Sequence, residues 1–272
     1  MKWTPRTKNS DVIDTRGRKT GAVVAGGGVV VTLIVFAVAK LTGVDVSGLL
    51  GLGGGGGSTK HESQPPTGPD ADAELVKFVD FAVGDIQDTF EEKFEEDGKT
   101  YERAKLVLFT ERTQSACGAA SSAIGPFYCP GDKKAYIDLT FYRDLRARFG
   151  APGDFAQAYV LAHEIGHHLQ NLLGVGGSRS NDHSVRVELQ ADCYAGIWAK
   201  AAQGRKLLEA GDVEEALTAA AAIGDDRLQK QAGGEVNPES FTHGSSAQRV
   251  RWFRRGLDAG TFEACDTFSG EP

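Results

Sequence analysis

The sequence predicts an α+β fold that is mainly helical, contains a small sheet and is preceded by one transmembrane helix. Three features of the chain predict it. Several long segments repeat apolar residues at helical spacing, a few short segments are apolar or alternating, and one stretch near the N-terminus is apolar and uncharged. Because the predicted strands precede most of the helices instead of alternating with them, the pattern favours α+β over a parallel α/β sheet.

The composition of the 272-residue chain fits a folded protein and excludes two broad classes. Hydrophobic residues make up 40% and charged residues 25%, which excludes disorder of the whole chain. The net charge of −7 lacks the basic footprint of a nucleic-acid binder. We therefore expect no nucleic acid among the partners of this protein.

The apolar stretch at residues 21–39 is 19 residues long and, at ~1.5 Å per residue, spans about 28 Å as a helix. Basic residues precede it, which predicts a cytoplasmic N-terminus and a single-pass anchor in the cell membrane. Cleavage after Ala37-Val38-Ala39 is an alternative that would also place the rest of the chain outside the cytoplasm. The predicted parts are a basic N-terminus (1–20), a transmembrane anchor (21–41), a Gly/Pro-rich linker (42–72) and an extracytoplasmic folded domain (73–272).

All four cysteines lie in the folded domain, and an even number outside the cytoplasm suggests two disulfides. Three pairings are possible. Cys117 and Cys129 bracket a short Gly-containing loop, which favours that pair and, by elimination, Cys193 with Cys265.

The first elements of the folded domain are one helix and a few strands. Apolar residues recur at helical spacing over 74–96, and Gly98 follows them. A strand is predicted at 105–110. Two more, at 127–129 and 135–139, flank the turn Pro130-Gly131-Asp132 and form a hairpin. Residues 134–139 are the best candidate for an edge strand of the sheet.

The later elements are helices. Residues 154–173 are helical in spacing and are stopped by Gly174. The next helix is predicted at 185–202, with Ser184 or Asp182 as its N-cap. For Asp225 and Asp226, the sequence favours a turn beside a helix over a calcium site. The last two helices are predicted at 213–223 and 245–257.

The helix at 154–173 carries an HExxH motif, His163-Glu164-Ile165-Gly166-His167. Residues four apart share a helix face, so both imidazoles can reach one Zn²⁺, and Glu164 can take a proton from water that the metal activates. His168 points about 100° away and reads as a packing residue. The alternative is a surface helix with two solvated histidines.

Two further segments can complete such a site. Glu188 and Asp192 are four apart on the next helix, which suits a third ligand and a carboxylate that orients a histidine. The alternative is an ordinary solvated acidic face. His243 and Arg249 are suited to stabilise the oxyanion of peptide hydrolysis, or else are a loop histidine and a surface arginine.

The runs HEIGHHLQ, ELQADC and FTHGSSAQR occur in this order and resemble those of the bacterial neutral zinc metallopeptidase family. They are more loosely similar to membrane-linked gluzincins. The resemblance implies a zincin-like metallopeptidase domain with Zn²⁺ as its cofactor. It implies His163, His167 and Glu188 as ligands, Glu164 as general base, Asp192 in support, and His243 with Arg249 as the transition-state pair.

The leading hypothesis is a membrane-anchored zinc metallopeptidase, a hydrolase that cleaves a peptide or protein substrate outside the cytoplasm. One alternative is a non-catalytic, zinc-stabilised domain that binds envelope partners, in which His183 would close the fourth metal position. Another is an amidase that acts on cell-wall peptides by the same chemistry.

Overall fold

The computed structural model describes residues 1–5, 11–17, 70–177 and 180–270. The predicted anchor at 21–41 lies outside these residues, as does most of the predicted linker. Within the described ranges, no helix is both long and apolar enough to cross a membrane.

A mixed four-stranded sheet has the strand order β1–β2–β6–β5. β1 (Val12–Asp14), β2 (Lys105–Phe109) and β6 (Lys134–Asp138) run parallel, and β5 (Phe127–Cys129) pairs antiparallel with β6, as the predicted hairpin requires. A separate hairpin, β3 (Arg112–Ser115) with β4 (Gly118–Ser121), was not predicted.

The prediction that residues 134–139 form a sheet edge is wrong. β6 lies between β2 and β5 and is paired on both sides, so its backbone groups are used within the sheet. β5 is the edge strand next to β6.

Seven α-helices are present in the described ranges, so the fold is mixed α+β with a small sheet. The five long helices match their predictions, except that α4 begins at Asn181 because Ser180 caps it by accepting a hydrogen bond from the His183 N–H. The short helices α2 and α6 were not predicted. The bounds are α1 Ala73–Glu96, α2 Thr140–Ala147, α3 Asp154–Leu173, α4 Asn181–Gly204, α5 Asp212–Ala222, α6 Asp225–Gln231 and α7 Ser246–Ala259.

Glycines let α3, α4 and α7 approach closely. A Cβ on Gly166 of α3 would lie 3.0 Å from the Ala191 backbone of α4. A Cβ on Gly196 would lie 2.1 Å from the carbonyl oxygen of Phe253, and one on Gly256 would lie 1.9 Å from that of Cys193. Gly196 therefore faces α7, and these contacts hold the three helices that carry most of the candidate site.

The described parts of residues 1–20 pack on the folded domain. β1 pairs with β2 over three residues, Trp3 contacts the ring of Phe78, and Arg16 forms an ion pair with Asp70 at 2.7 Å. The described residues of this segment therefore contribute to the fold of the domain, and its cytoplasmic location stays a prediction.

The structure confirms both favoured disulfides. Cys117 is bonded to Cys129, which ties the β3–β4 hairpin to β5. Cys193 is bonded to Cys265, which ties α4 to the C-terminal segment.

Candidate active site

The two histidines of HExxH and Glu188 form one cluster. His163 and His167 lie one turn apart on α3, and Glu188 lies on α4. Nε2 of His163 is 3.1 Å and Nε2 of His167 is 3.5 Å from the Glu188 carboxylate. One ligand atom from each residue lies within 4.8 Å of the others, so the structure brings the three predicted ligands together.

Asp192 of α4 contacts the ring of His163. Its Oδ1 lies 2.9 Å from Nδ1 of His163, which leaves Nε2 of that ring facing Glu188. The carboxylate is fully buried and also accepts hydrogen bonds from Tyr159 and Arg249. Such a carboxylate fixes the tautomer and direction of a metal-binding histidine.

Arg249 has contacts other than those expected of a transition-state donor. It lines the site cavity, but its Nε and Nη2 donate to the two oxygens of Asp192 at 2.8 and 2.9 Å. The buried side chain is therefore held in a bidentate salt bridge. These contacts make Arg249 a support for Asp192 and, through it, for His163.

The second histidine has a partner that the sequence analysis missed. Nδ1 of His167 lies 2.8 Å from Oε1 of Gln170, whose own amide nitrogen donates to the Val187 carbonyl. The amide is thereby oriented to accept from His167, which leaves Nε2 of that ring for the cluster. The position of Gln170, three residues after His167 on the same helix, was the available signal.

Glu164 lies in the same cavity without a partner for one of its oxygens. The side chain is buried, and Oε2 accepts no hydrogen bond from the part of the chain that the structure describes. Burial raises the pKa of this carboxyl above its ordinary value, against the positive charge of the nearby histidines. A buried, unpartnered carboxylate oxygen beside a donor cluster is suited to hold a water molecule.

His243 reaches the cavity from the loop before α7 and is held by Asp225, the first residue of α6. Nδ1 of His243 lies 3.1 Å from Asp225 Oδ1, while Oδ2 accepts from the backbone N–H groups of Thr242, His243 and Gly244. Burial alone would lower the pKa of His243, but this hydrogen bond and the Glu188 carboxylate raise it. Asp225 thus orients a site residue.

The other two histidines near the site are not part of the cluster. His168 is buried, and its ring lies between the Tyr128 hydroxyl and the Glu102 carbonyl, as a packing residue would. His183 lies in the first turn of α4 and its ring contacts Phe268 at 5.3 Å. Among the described residues, His183 is not part of the cluster of His163, His167 and Glu188 and does not line the cavity, so the geometry does not support its closing a fourth metal position.

The donor set fits zinc. Two imidazole nitrogens and one carboxylate oxygen are typical of catalytic zinc sites, which keep one position open. The carboxylates of Asp192 and Glu188 also favour positive charge in the site. Burial alone would lower the pKa of His163, but these two carboxylates raise it to about 10. The site lines a cavity of about 540 Å³.

Comparisons with known proteins agree with this chemistry. A family model described as "Putative neutral zinc metallopeptidase" matches residues 1–268. The YpfJ protein of Escherichia coli K12 is 45% identical over 98% of this chain and 99% of its own length. The Rv2575 protein of Mycobacterium tuberculosis H37Rv is 49% identical over 62% of this chain and 64% of its own. The names of these relatives state no activity, and no solved structure matches the chain.

Proposed function

The chain belongs to this zinc metallopeptidase family, and we propose that it hydrolyses peptide bonds with zinc held by His163, His167 and Glu188. One observation carries the proposal. The three donors meet in a cavity that also contains the unpartnered carboxylate oxygen of Glu164. A metal centre with an adjacent free base is what amide hydrolysis needs, whereas a purely structural site has no use for the base.

Bound zinc supplies a Lewis acid that lowers the pKa of water and polarises a carbonyl group. Glu164 takes the proton from the attacking water at its free oxygen and passes it to the leaving amine. His243, with Nδ1 held by Asp225, directs Nε2 to the carbonyl oxygen as negative charge develops there. Asp192 and Gln170 keep the two histidine ligands in the required tautomer.

We further propose a zincin-like arrangement in which an extended substrate adds to β5. Two observations support it: β5 is an edge strand, and its residues Phe127 and Tyr128 line the site cavity. Proline or N-methyl substitution in the substrate backbone would weaken binding if this is correct.

The compartment is also a proposal. Two disulfides support a domain that works outside the cytoplasm, and the apolar stretch at 21–39 supports attachment to a membrane. A cytoplasmic N-terminus with a single crossing would require β1 to leave the sheet, so we place residues 1–17 on the same side as the site.

The test compares metal content and peptide cleavage in the purified full-length chain and two variants. We expect about one zinc per chain in the wild type and in Glu164→Gln, and a large loss of zinc in Glu188→Ala. Glu164→Gln should lower kcat on the order of 10²- to 10⁴-fold because the base is lost while the ligands remain.

The outcomes separate the alternatives. A folded wild-type chain without zinc, or a fully active Glu164→Gln variant, would contradict the proposal. Zinc without turnover would favour the non-catalytic envelope-binding domain. Cleavage confined to cell-wall peptide cross-links would favour the amidase.

A further inference from the structure

One wall of the site cavity is a loop closed by a disulfide. The bond between Cys117 and Cys129 encloses residues 117–129, and seven consecutive residues of this recognition loop, 122–128, line the cavity. The recognition loop contains no charged residue. Whatever part of a ligand contacts this wall therefore meets apolar side chains, hydroxyl groups and backbone.

The elements facing the recognition loop are also apolar. Phe141 of α2 lies close to Gly125, because a Cβ added to Gly125 would be 3.9 Å from the Phe141 ring. Phe149 lies just after the end of the same helix and also lines the cavity. Val160 lies one turn before Glu164 on the same face of α3. Together with Ile124 of the loop, these side chains form an apolar subsite that adjoins the proposed general base. The ring of Phe127 stacks on Tyr136 at 4.8 Å, on the face of β5 opposite to Tyr128, and is not part of the subsite.

Charges at the rim of this subsite do not favour a charged ligand. Asp144 and Arg148 of the α2 region both line the cavity and are both exposed, and their opposite charges offset each other. Ile124 and Phe141 are only partly buried, so apolar surface remains to be covered. A large aliphatic or aromatic side chain is the group that gains most from covering it.

The wall is held in place before a ligand arrives. Cys129 is fully buried in β5, and the hydroxyl of Tyr128 contacts Nδ1 of His168 at 2.9 Å and the Asn171 amide at 3.0 Å. Because Nε2 of His168 donates to the Glu102 carbonyl, Nδ1 accepts from Tyr128. A wall fixed to α3 in this way discriminates between side chains better than a loose loop.

Resting on the proposed peptidase function, we propose that the recognition loop selects substrates with a large apolar side chain next to the scissile bond. The subsite consists of Ile124, Phe141, Phe149 and Val160. The cavity is also lined by a second group of apolar residues from other elements: Val175, Val187, Ile223 and Leu228. The selection proposed here is by the subsite next to the recognition loop.

The experiment uses the full-length zinc-loaded chain and a peptide library that varies the residues on both sides of the cleaved bond. Wild type should prefer leucine, phenylalanine or methionine over aspartate, lysine and glycine at one flanking position. Ile124→Lys should lower kcat/KM for such peptides by at least about tenfold. It should also raise the relative rate for peptides with aspartate or glutamate at that position, with zinc content unchanged.

The matched control is Val236→Lys, which changes an apolar residue that is 37% exposed and does not line the cavity. It should keep the wild-type preference. Ile124→Ala serves as a second variant in case the lysine destabilises the loop, and should give a smaller loss for the same peptides.

The results distinguish this inference from the proposed function. Cleavage by the wild type without an apolar preference, or a preference unchanged in both Ile124 variants, overturns the role of the recognition loop and leaves the peptidase intact. A zinc-loaded wild type that cleaves no peptide in the library overturns both.

Discussion

Both histidines of the cluster have Nδ1 against an orienting partner and direct Nε2 to the Glu188 carboxylate. His163 is oriented by Asp192, a carboxylate from α4, and His167 by Gln170, an amide from its own helix. The charged partner is itself fixed by Arg249 and Tyr159, whereas the neutral one is fixed by a backbone carbonyl. The cluster therefore depends on a buried network that includes residues without any contact to the metal position.

Asp225→Asn tests whether His243 acts in catalysis. The amide can still accept from the backbone N–H groups, but it removes the negative charge that holds Nδ1 of His243. We expect kcat to fall about 10- to 100-fold with zinc content and KM nearly unchanged.

The matched control is Asp226→Asn. Asp226 accepts from the backbone and hydroxyl of Ser246 at the start of α7 and has no bond to His243. It should leave kcat within about threefold of wild type, because the asparagine oxygen can still accept both hydrogen bonds from Ser246. Equal losses of kcat in both variants would mean that Asp225 acts only through the fold of this segment.

Residues of the site differ in how far sequence alone could predict them. His163 with His167, and Glu188 with Asp192, each share a helix face at a spacing of four, so a local rule predicted each pair. That the two pairs meet is a result of the packing of α3 on α4. Asp225 lies 18 residues before His243 on a short helix that has no strong periodic pattern, and only the packed loop joins them. Arg249 was predicted to be a site residue, but its salt bridge with Asp192 joins residues 57 apart and could not be predicted from spacing.

At the level of elements, the position of α4 against α7 depends on a glycine. Gly196 is in mid-helix, where alanine has the better helix propensity by about 1 kcal/mol. A Cβ there would nevertheless lie 2.1 Å from the Phe253 carbonyl oxygen and 2.7 Å from the Leu257 nitrogen, which are backbone atoms that cannot rotate away. We expect Gly196→Ala to destabilise the fold by about 1–3 kcal/mol, measured by thermal unfolding.

Gly204→Ala is the matched control on the same helix. Its Cβ would meet nothing within 4 Å, so the substitution should be neutral or slightly stabilising. A Gly196→Ala variant as stable as Gly204→Ala would show that the two helices separate easily, and would weaken the account of how Arg249 reaches Asp192.

The sequence predicted the types of most elements, but it did not predict the order of the strands in the sheet. Helical spacing located the five long helices, and a turn signal located the β5–β6 hairpin. Which strand lies at the edge depends on the pairing of β6 with β2, about 30 residues earlier in the chain, and of β2 with β1, more than 90 residues earlier. Such non-local pairing has no signature in local periodicity, so β6 was mistaken for an edge.

At the scale of the whole molecule, the pairing of β1 with β2 constrains how the two ends of the apolar stretch can be placed relative to a membrane. Arg16 binds Asp14 and Asp70, so both ends of the segment between residues 17 and 70 meet at one point on the folded domain. Asp11 is buried and pairs with Arg103 and Lys105, which gives β1 polar contacts besides its strand pairing. The pairing of β1 in this sheet requires residues 17 and 70 to lie on the same side of any membrane that the chain contacts.

A cross-link tests this topology in the chain as it is produced in cells. Ile13 and Val107 are register partners in adjacent parallel strands, and neighbouring strands about 4.8 Å apart are within the Cα separation of a disulfide. We expect Ile13→Cys combined with Val107→Cys to form a disulfide, detected by mass spectrometry after proteolysis. Ile13→Cys with Val236→Cys, which are not paired, should not. If the first pair stays unlinked and the thiol introduced in place of Ile13 reacts only with reagents that cross the membrane, residues 1–17 lie in the cytoplasm and β1 does not complete the sheet in the cell.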